Sequence, residues 1–188
     1  IAIPRNAKPL YAMLESSVHP VQAPHGGAFH PKVWVARFGA KGKPTLLRVA
    51  ILSRNLTFDR SWDMALASEA TPSGKRATAS RPLKELLQQL PALTTETLPK
   101  QVASSIQDLA EEVGRTRFPS PKGFEDPVTF HDLGLGRKRR KPWLPQIEGF
   151  RVFAISPFVT RRALDAVADL SRDERILVSR QEELDKLP

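Results

Sequence analysis

Two short apolar runs separated by a glycine-containing connection constrain this chain more than any other feature. Val33-Trp34-Val35-Ala36 and Leu46-Leu47-Arg48-Val49-Ala50-Ile51-Leu52 are rich in β-branched and large apolar residues, the composition of mostly buried strands. Gly39-Ala40-Lys41-Gly42-Lys43-Pro44 between them reads as a hairpin connection. Pro24-His25-Gly26-Gly27 upstream lets the backbone turn into the first run. His30 and Lys32 stand at the entry to the first strand, Ser53 and Asn55 at the exit from the second. Side chains in a strand alternate faces, so His30 projects with Lys32 and Ser53 with Asn55. If the strands pair, their ends can place an imidazole, an ammonium, a hydroxyl and a carboxamide around one pocket. That set suits an anionic, tetrahedral phosphoryl group. Lysine supplies charge, Ser and Asn supply neutral donors, and histidine can attack phosphorus or move a proton near neutral pH.

Composition narrows the substrate. The 188 residues suffice for one ordinary domain or two small halves, and 40% of them are hydrophobic. No stretch approaches the length of apolar sequence that a membrane span requires. The absence of cysteine excludes disulfides and thiolate metal sites, and fits a cytoplasmic location. The formal charge of +9 favours a polyanionic partner. Five of the 29 basic residues fall in Arg137-Lys138-Arg139-Arg140-Lys141, and the remaining 24 exceed the 20 acidic residues by four. The excess is therefore partly local. The run can track a phosphate backbone, with Trp143 after it as a ring on which bases stack; a solvated loop with one anchoring hydrophobe is the structural alternative.

The rest of the chain predicts an α/β protein, a layered mixed sheet flanked by helices. A helix end is expected within residues 1–14, and a third strand from about Asp63 to Ser68. A helix runs from Ser80-Pro82 to about Leu90, closed by Pro91, and a second opens at Thr97-Pro99. Val102, Ile106, Leu109 and Val113 form a stripe on that second helix, and Gly114 falls at its end. A short strand is expected at Val128–His131. Residues 133–149 read as a loop crossing between two halves, 1–145 and 146–188. The second half begins with a strand at Phe150–Ser156, a helix at Thr160–Leu170, a strand at Arg175–Val178 and a helix near Glu182–Leu187, an alternation that argues for a layered α/β sheet.

His30-x-Lys32 followed by Ser53-x-Asn55 resembles one half-site of the phospholipase D superfamily, whose motif is H-x-K-x4-D followed by G-S-x-N. The form lacking the motif's Asp is similar to the tyrosyl-DNA phosphodiesterase branch and to nuclease-like members, and the likeness spans about residues 28–68. Arg37 stands where the motif has Asp, and Leu52 where it has Gly. The resemblance implies a metal-independent phosphodiesterase or nuclease without a cofactor, acting through a phosphohistidine intermediate on DNA in preference to RNA. It implies that His30 attacks phosphorus or protonates the leaving oxygen, that Lys32 and Asn55 hold phosphoryl oxygens, and that Ser53 assists. It also makes Asp63 a candidate to orient a histidine. The family builds its site from two half-sites, so the second H-x-K is expected from a longer chain, of which these residues are a fragment incomplete at both ends, or from a homodimer. A non-catalytic nucleic-acid-binding module of the same fold and a lipid phosphodiesterase are the rival readings.

Other polar and aromatic residues carry less. His19, His25 and His131 have no partners at metal-ligand spacing, so no metal site is expected. His131 reads as a half-buried strand histidine. Trp34, between Val33 and Val35, reads as a core residue, whereas Trp62 beside Asp63 is a candidate for the pocket mouth.

Overall fold

The computed structural model describes residues 17–23, 28–55, 63–125, 127–132 and 149–187. Its α/β content falls into two compact units, residues 1–135 and 136–188. The first unit holds a three-stranded antiparallel meander in the order β1-β2-β3, with β1 Val33–Phe38, β2 Leu46–Leu52 and β3 Ala65–Ala70. Val33 pairs with Ile51 and Phe38 with Leu46, while Leu47 pairs with Ala70 and Leu52 with Ala65. The turn between β1 and β2 closes with Lys43 N–H donating to Ala40 O, and Gly42 takes a φ of 74° that a residue with a Cβ rarely adopts. The third strand lies two residues later than its apolar core suggests, because Asp63 and Met64 are spent on entering it.

Alternation gives the sheet one covered face and one open face. Leu47 and Val49 are fully buried, and Val33, Val35 and Ile51 pack against the same core. That core is completed by helices α1 (Arg81–Leu93) and α2 (Lys100–Val113), through Leu83, Leu87, Ala110 and Val113, together with Phe118 and Phe130. Phe118 and Phe130 meet edge to face at 5.8 Å. Ser80, at the start of α1, is buried and donates its hydroxyl to Thr116 O at 2.5 Å; Ser68 donates to Pro119 O at 2.7 Å. These bonds satisfy hydroxyls that burial would otherwise leave unpaired.

Three expectations are corrected. α1 does not stop at Pro91 but runs two residues further, to Leu93, with Thr94 Oγ1 donating back to Pro91 O. A proline so near the C-terminus forfeits only one intrahelical bond, and the open end tolerates that. Val128–His131 form no strand. Their backbone is instead held by Val128 N–H to Phe118 O and Phe130 N–H to Ala79 O, which seats the Phe130 ring in the core. His131 is exposed rather than half-buried. α2 starts after Pro99 and ends at Gly114, as its stripe and terminal glycine predict.

The start of α1 and the end of α2 are joined by charge. Lys84 Nζ lies 2.8 Å from Glu111, and Gln88 donates to the same carboxylate at 3.1 Å. The stem of Lys84 passes over Gly114 so closely that a Cβ there would stand 2.5 Å from Lys84 Cδ. The hydrogen bond from Lys84 holds the Glu111 carboxyl below its ordinary value against a smaller opposing desolvation, helped by the charges of Lys84, Arg115 and Arg76. A carboxyl depressed on folding adds stability above its unfolded pKa and loses it as pH falls through the folded one. Urea midpoints are therefore expected to fall as pH is lowered from about 5 to below about 4. Glu111→Gln should flatten part of that slope, and identical slopes in the two proteins would remove Glu111 from the account.

The second unit is a β-α-β element. β4 (Gly149–Ile155) and β5 (Ser171–Val178) are parallel neighbours, and α3 (Arg161–Ala168) connects them, followed by the short α4 (Gln181–Leu184). Thr160 caps α3 by accepting Ala163 N–H at 3.3 Å. Val152, Ala154 and Leu177 occupy one face of the pair and are half-buried. Phe153, Ile155, Ile176 and Val178 occupy the other and are exposed. β5 begins four residues earlier than expected, because Ser171 is buried and bonds Phe150 O, which extends the pairing through an otherwise polar stretch. The basic run 137–141, Trp143, Trp62, His25, the expected helix in 1–14 and the boundary after residue 145 lie outside the described residues. Among the described residues, no helix is long and apolar enough to cross a membrane.

Candidate functional site

The meander sets where the motif residues meet. An antiparallel sheet brings the entry to β1, the exit from β2 and the entry to β3 to one end. His30 and Lys32 precede β1, Ser53 and Asn55 follow β2, and Asp63 precedes β3. The ladder continues past the strand ends, with Leu52 N–H donating to Lys32 O at 2.9 Å and Ser53 N–H to Met64 O at 2.9 Å. The backbones of Lys32, Leu52, Ser53 and Met64 are thus fixed by pairing. Register places Lys32 on the face of Trp34 and Ala50, and Ser53 on the face of Ile51 and Val49. Only a ligand seated beyond the last rung is open to both.

Two side-chain groups form there. In the first, the Lys32 ammonium lies 2.6 Å from His30 Nδ1 and 3.2 Å from Nε2, and donates to His30 O at 3.1 Å. The ammonium is thus within reach of both ring nitrogens, nearer to Nδ1. In the second, the Ser53 hydroxyl donates to Asp63 Oδ1 and accepts Met64 N–H at 3.0 Å. Among the described residues, Asp63 is engaged by Ser53 and by no imidazole. Among the described residues, no side-chain hydrogen bond links the two groups. His30, Ser53, Asn55 and Asp63 are exposed, and Lys32 is half-buried.

The residues that depart from the motif have structural work. Arg37 shares the inner face with Val35 and pairs with Glu112 of α2 at 2.8 Å, a bond that raises the guanidinium pKa further. Leu52 is half-buried and paired with Ala65. Two surface depressions lie away from the motif, near the end of α2. One, of about 530 Å³, is lined by Arg76, Thr78, Arg81, Lys84 and Gln88; the other, of about 290 Å³, by Arg37, Asp108, Glu112 and Arg115. Their charges are largely spent on one another, as in Arg81–Glu85 and Lys84–Glu111. Among the described residues, no group of three or more His, Asp or Glu side chains could hold a metal ion.

One residue stands where the sequence did not put it. Trp34 is 56% exposed on the open face of the sheet, not in the core. The legible signal was parity: Trp34 shares its side with Lys32, and its face continues into Arg48 and Glu69, charged residues that a buried layer would not carry. No family model, curated protein or solved structure matches this chain.

Proposed function

We propose that this chain carries one half-site of a metal-independent phosphodiesterase of the phospholipase D type, acting on nucleic acid, DNA in preference to RNA. The observation that supports the reading is that pairing fixes Lys32 and Ser53 at the same end of the meander, where His30, Asn55 and Asp63 adjoin the strand ends. A phosphodiester seated beyond the last rung draws the Lys32 ammonium from the imidazole to a non-bridging oxygen. One ring nitrogen keeps the proton, and the other attacks phosphorus. A P–N bond forms as the P–O bond to the leaving group breaks, and a second histidine, from the partner half-site, protonates that oxygen. Water, deprotonated by the same second histidine, then cleaves the P–N bond. Asn55 contributes neutral donors to the phosphoryl oxygens, and Ser53 joins it once its hydroxyl turns from Asp63. In this reading the layered sheet of the first unit and the β-α-β element of the second are the cores of two phospholipase D-like halves, the second completed by further sequence or by another protomer.

Trapping tests it. With an end-labelled DNA phosphodiester in excess EDTA, the complete protein is expected to cleave and to retain label through an acid-labile, base-stable P–N linkage. Cleavage that depends on added divalent metal, or label on a hydroxyl or carboxylate, would defeat the proposal. The use of Arg37 as a partner of Glu112, where the motif has an acid, favours one rival, a nucleic-acid-binding module without chemistry. Binding without cleavage or trapped label would establish that one.

A further inference from the structure

The open face of the meander offers what an unpaired base needs. Trp34 and Phe38 lie four residues apart on β1, on the same side, 56% and 45% exposed. Around Trp34 the floor is small: Ala36 on its own strand, Ala50 opposite, Ala67 beyond it and Ala65 at the strand entry. Among the described residues the small floor leaves the indole more than half exposed. The guanidinium of Arg48 lies over the Phe38 ring at 5.3 Å, and its ion pair with Glu69 leaves a flat cation–aromatic surface beside it. Lys32, two residues before Trp34 and on the same side, lies about 7 Å away along the strand. Rings alternating with cations at this spacing suit a strand whose phosphates and bases alternate in the same way.

We infer that this face binds single-stranded nucleic acid, with one base stacked on Trp34 and the adjoining phosphate held at Lys32 and His30. The inference rests on the nucleic-acid reading of the site and adds to it the strandedness and the path of the substrate. Charge complementarity selects the occupant: the face and its two ends carry Lys32, Lys41, Lys43 and Arg48 against the carboxylates of Asp63 and Glu69, on a chain of charge +9. Duplex DNA cannot use the ring, since its base faces are already stacked.

The test uses protein whose other tryptophans are replaced (Trp62→Phe and Trp143→Phe), so that emission reports on Trp34 alone. Oligothymidylate is expected to quench that emission, and Trp34→Ala to weaken its binding, read by anisotropy, about 5- to 150-fold. Duplex binding should be unchanged, and Trp34→Phe should retain most of the affinity, which separates stacking from misfolding. If oligothymidylate binds but Trp34→Ala and wild type bind it alike, the stacking inference fails and the nucleic-acid reading stands. If neither strand form binds, both fail. Trp34 emission shielded from acrylamide in the free protein would show the face covered by polypeptide, and would also overturn the inference.

Discussion

Replacing His30 with alanine is expected to lower EDTA-insensitive phosphodiester hydrolysis by a thousandfold or more, on the scale of 10³–10⁶ seen when a covalent nucleophile is removed. In the proposed mechanism the change removes the atom that bonds phosphorus, and among the described residues its hydrogen-bond partner offers no substitute. Lys32, its hydrogen-bond partner, has only donors when charged. The fold should be indifferent. His30 is exposed, lies outside the ladder and touches Lys32 at the surface, so the unfolding free energy should move by no more than about 0.5 kcal/mol. Initial rates and urea melts on one preparation separate the two effects. A variant that keeps a tenth of the rate would remove His30 from the chemistry. A variant that loses several kcal/mol would make it a structural residue.

The second large effect lies in the core. Phe118→Ala should cost the first unit about 3–5 kcal/mol, a substantial part of the total for a domain of this size. Phe118 is the largest of the fully buried side chains and meets Phe130 edge to face. Its carbonyl accepts Val128 N–H, so collapse around the cavity would disturb the segment that seats Phe130. Phe118→Leu, which retains most of the volume, should cost less than half as much. Denaturant midpoints at constant slope measure both. A loss below about 1 kcal/mol for the alanine would mean that the ring does not fill a close-packed site.

Much of the architecture is legible from local pattern. The β1–β2 hairpin follows from two β-rich runs around a glycine turn, and α2 from a stripe at helical spacing between Pro99 and Gly114. What escapes is decided by distant neighbours. Pro91 reads as a stop because a proline breaks a helix interior, but two residues from the end it has little to break. Val128–His131 reads as a strand by composition, yet the amides of Val128 and Phe130 bond Phe118 and Ala79 and not a sheet edge. Trp34 reads as core because Val33 and Val35 flank it. Alternation puts those valines on the opposite side, and the cues that the second side stays open are Lys32, two residues before it, and Arg48 and Glu69, which join its face only once the strands pair. Within the candidate site, the chain order of motif residues predicts their gathering at one sheet end. The tie between Ser53 and Asp63 depends on β3 pairing with β2, which no short motif encodes.

The β4–β5 pair has a practical consequence for handling the protein. Parallel strands normally lie beneath cover on both sides, whereas here Phe153, Ile155, Ile176 and Val178 leave a greasy plane in water. A peptide limited to residues 149–187 would seek its own kind and precipitate on concentration. Recombinant boundaries are better drawn so that this element is never produced in isolation.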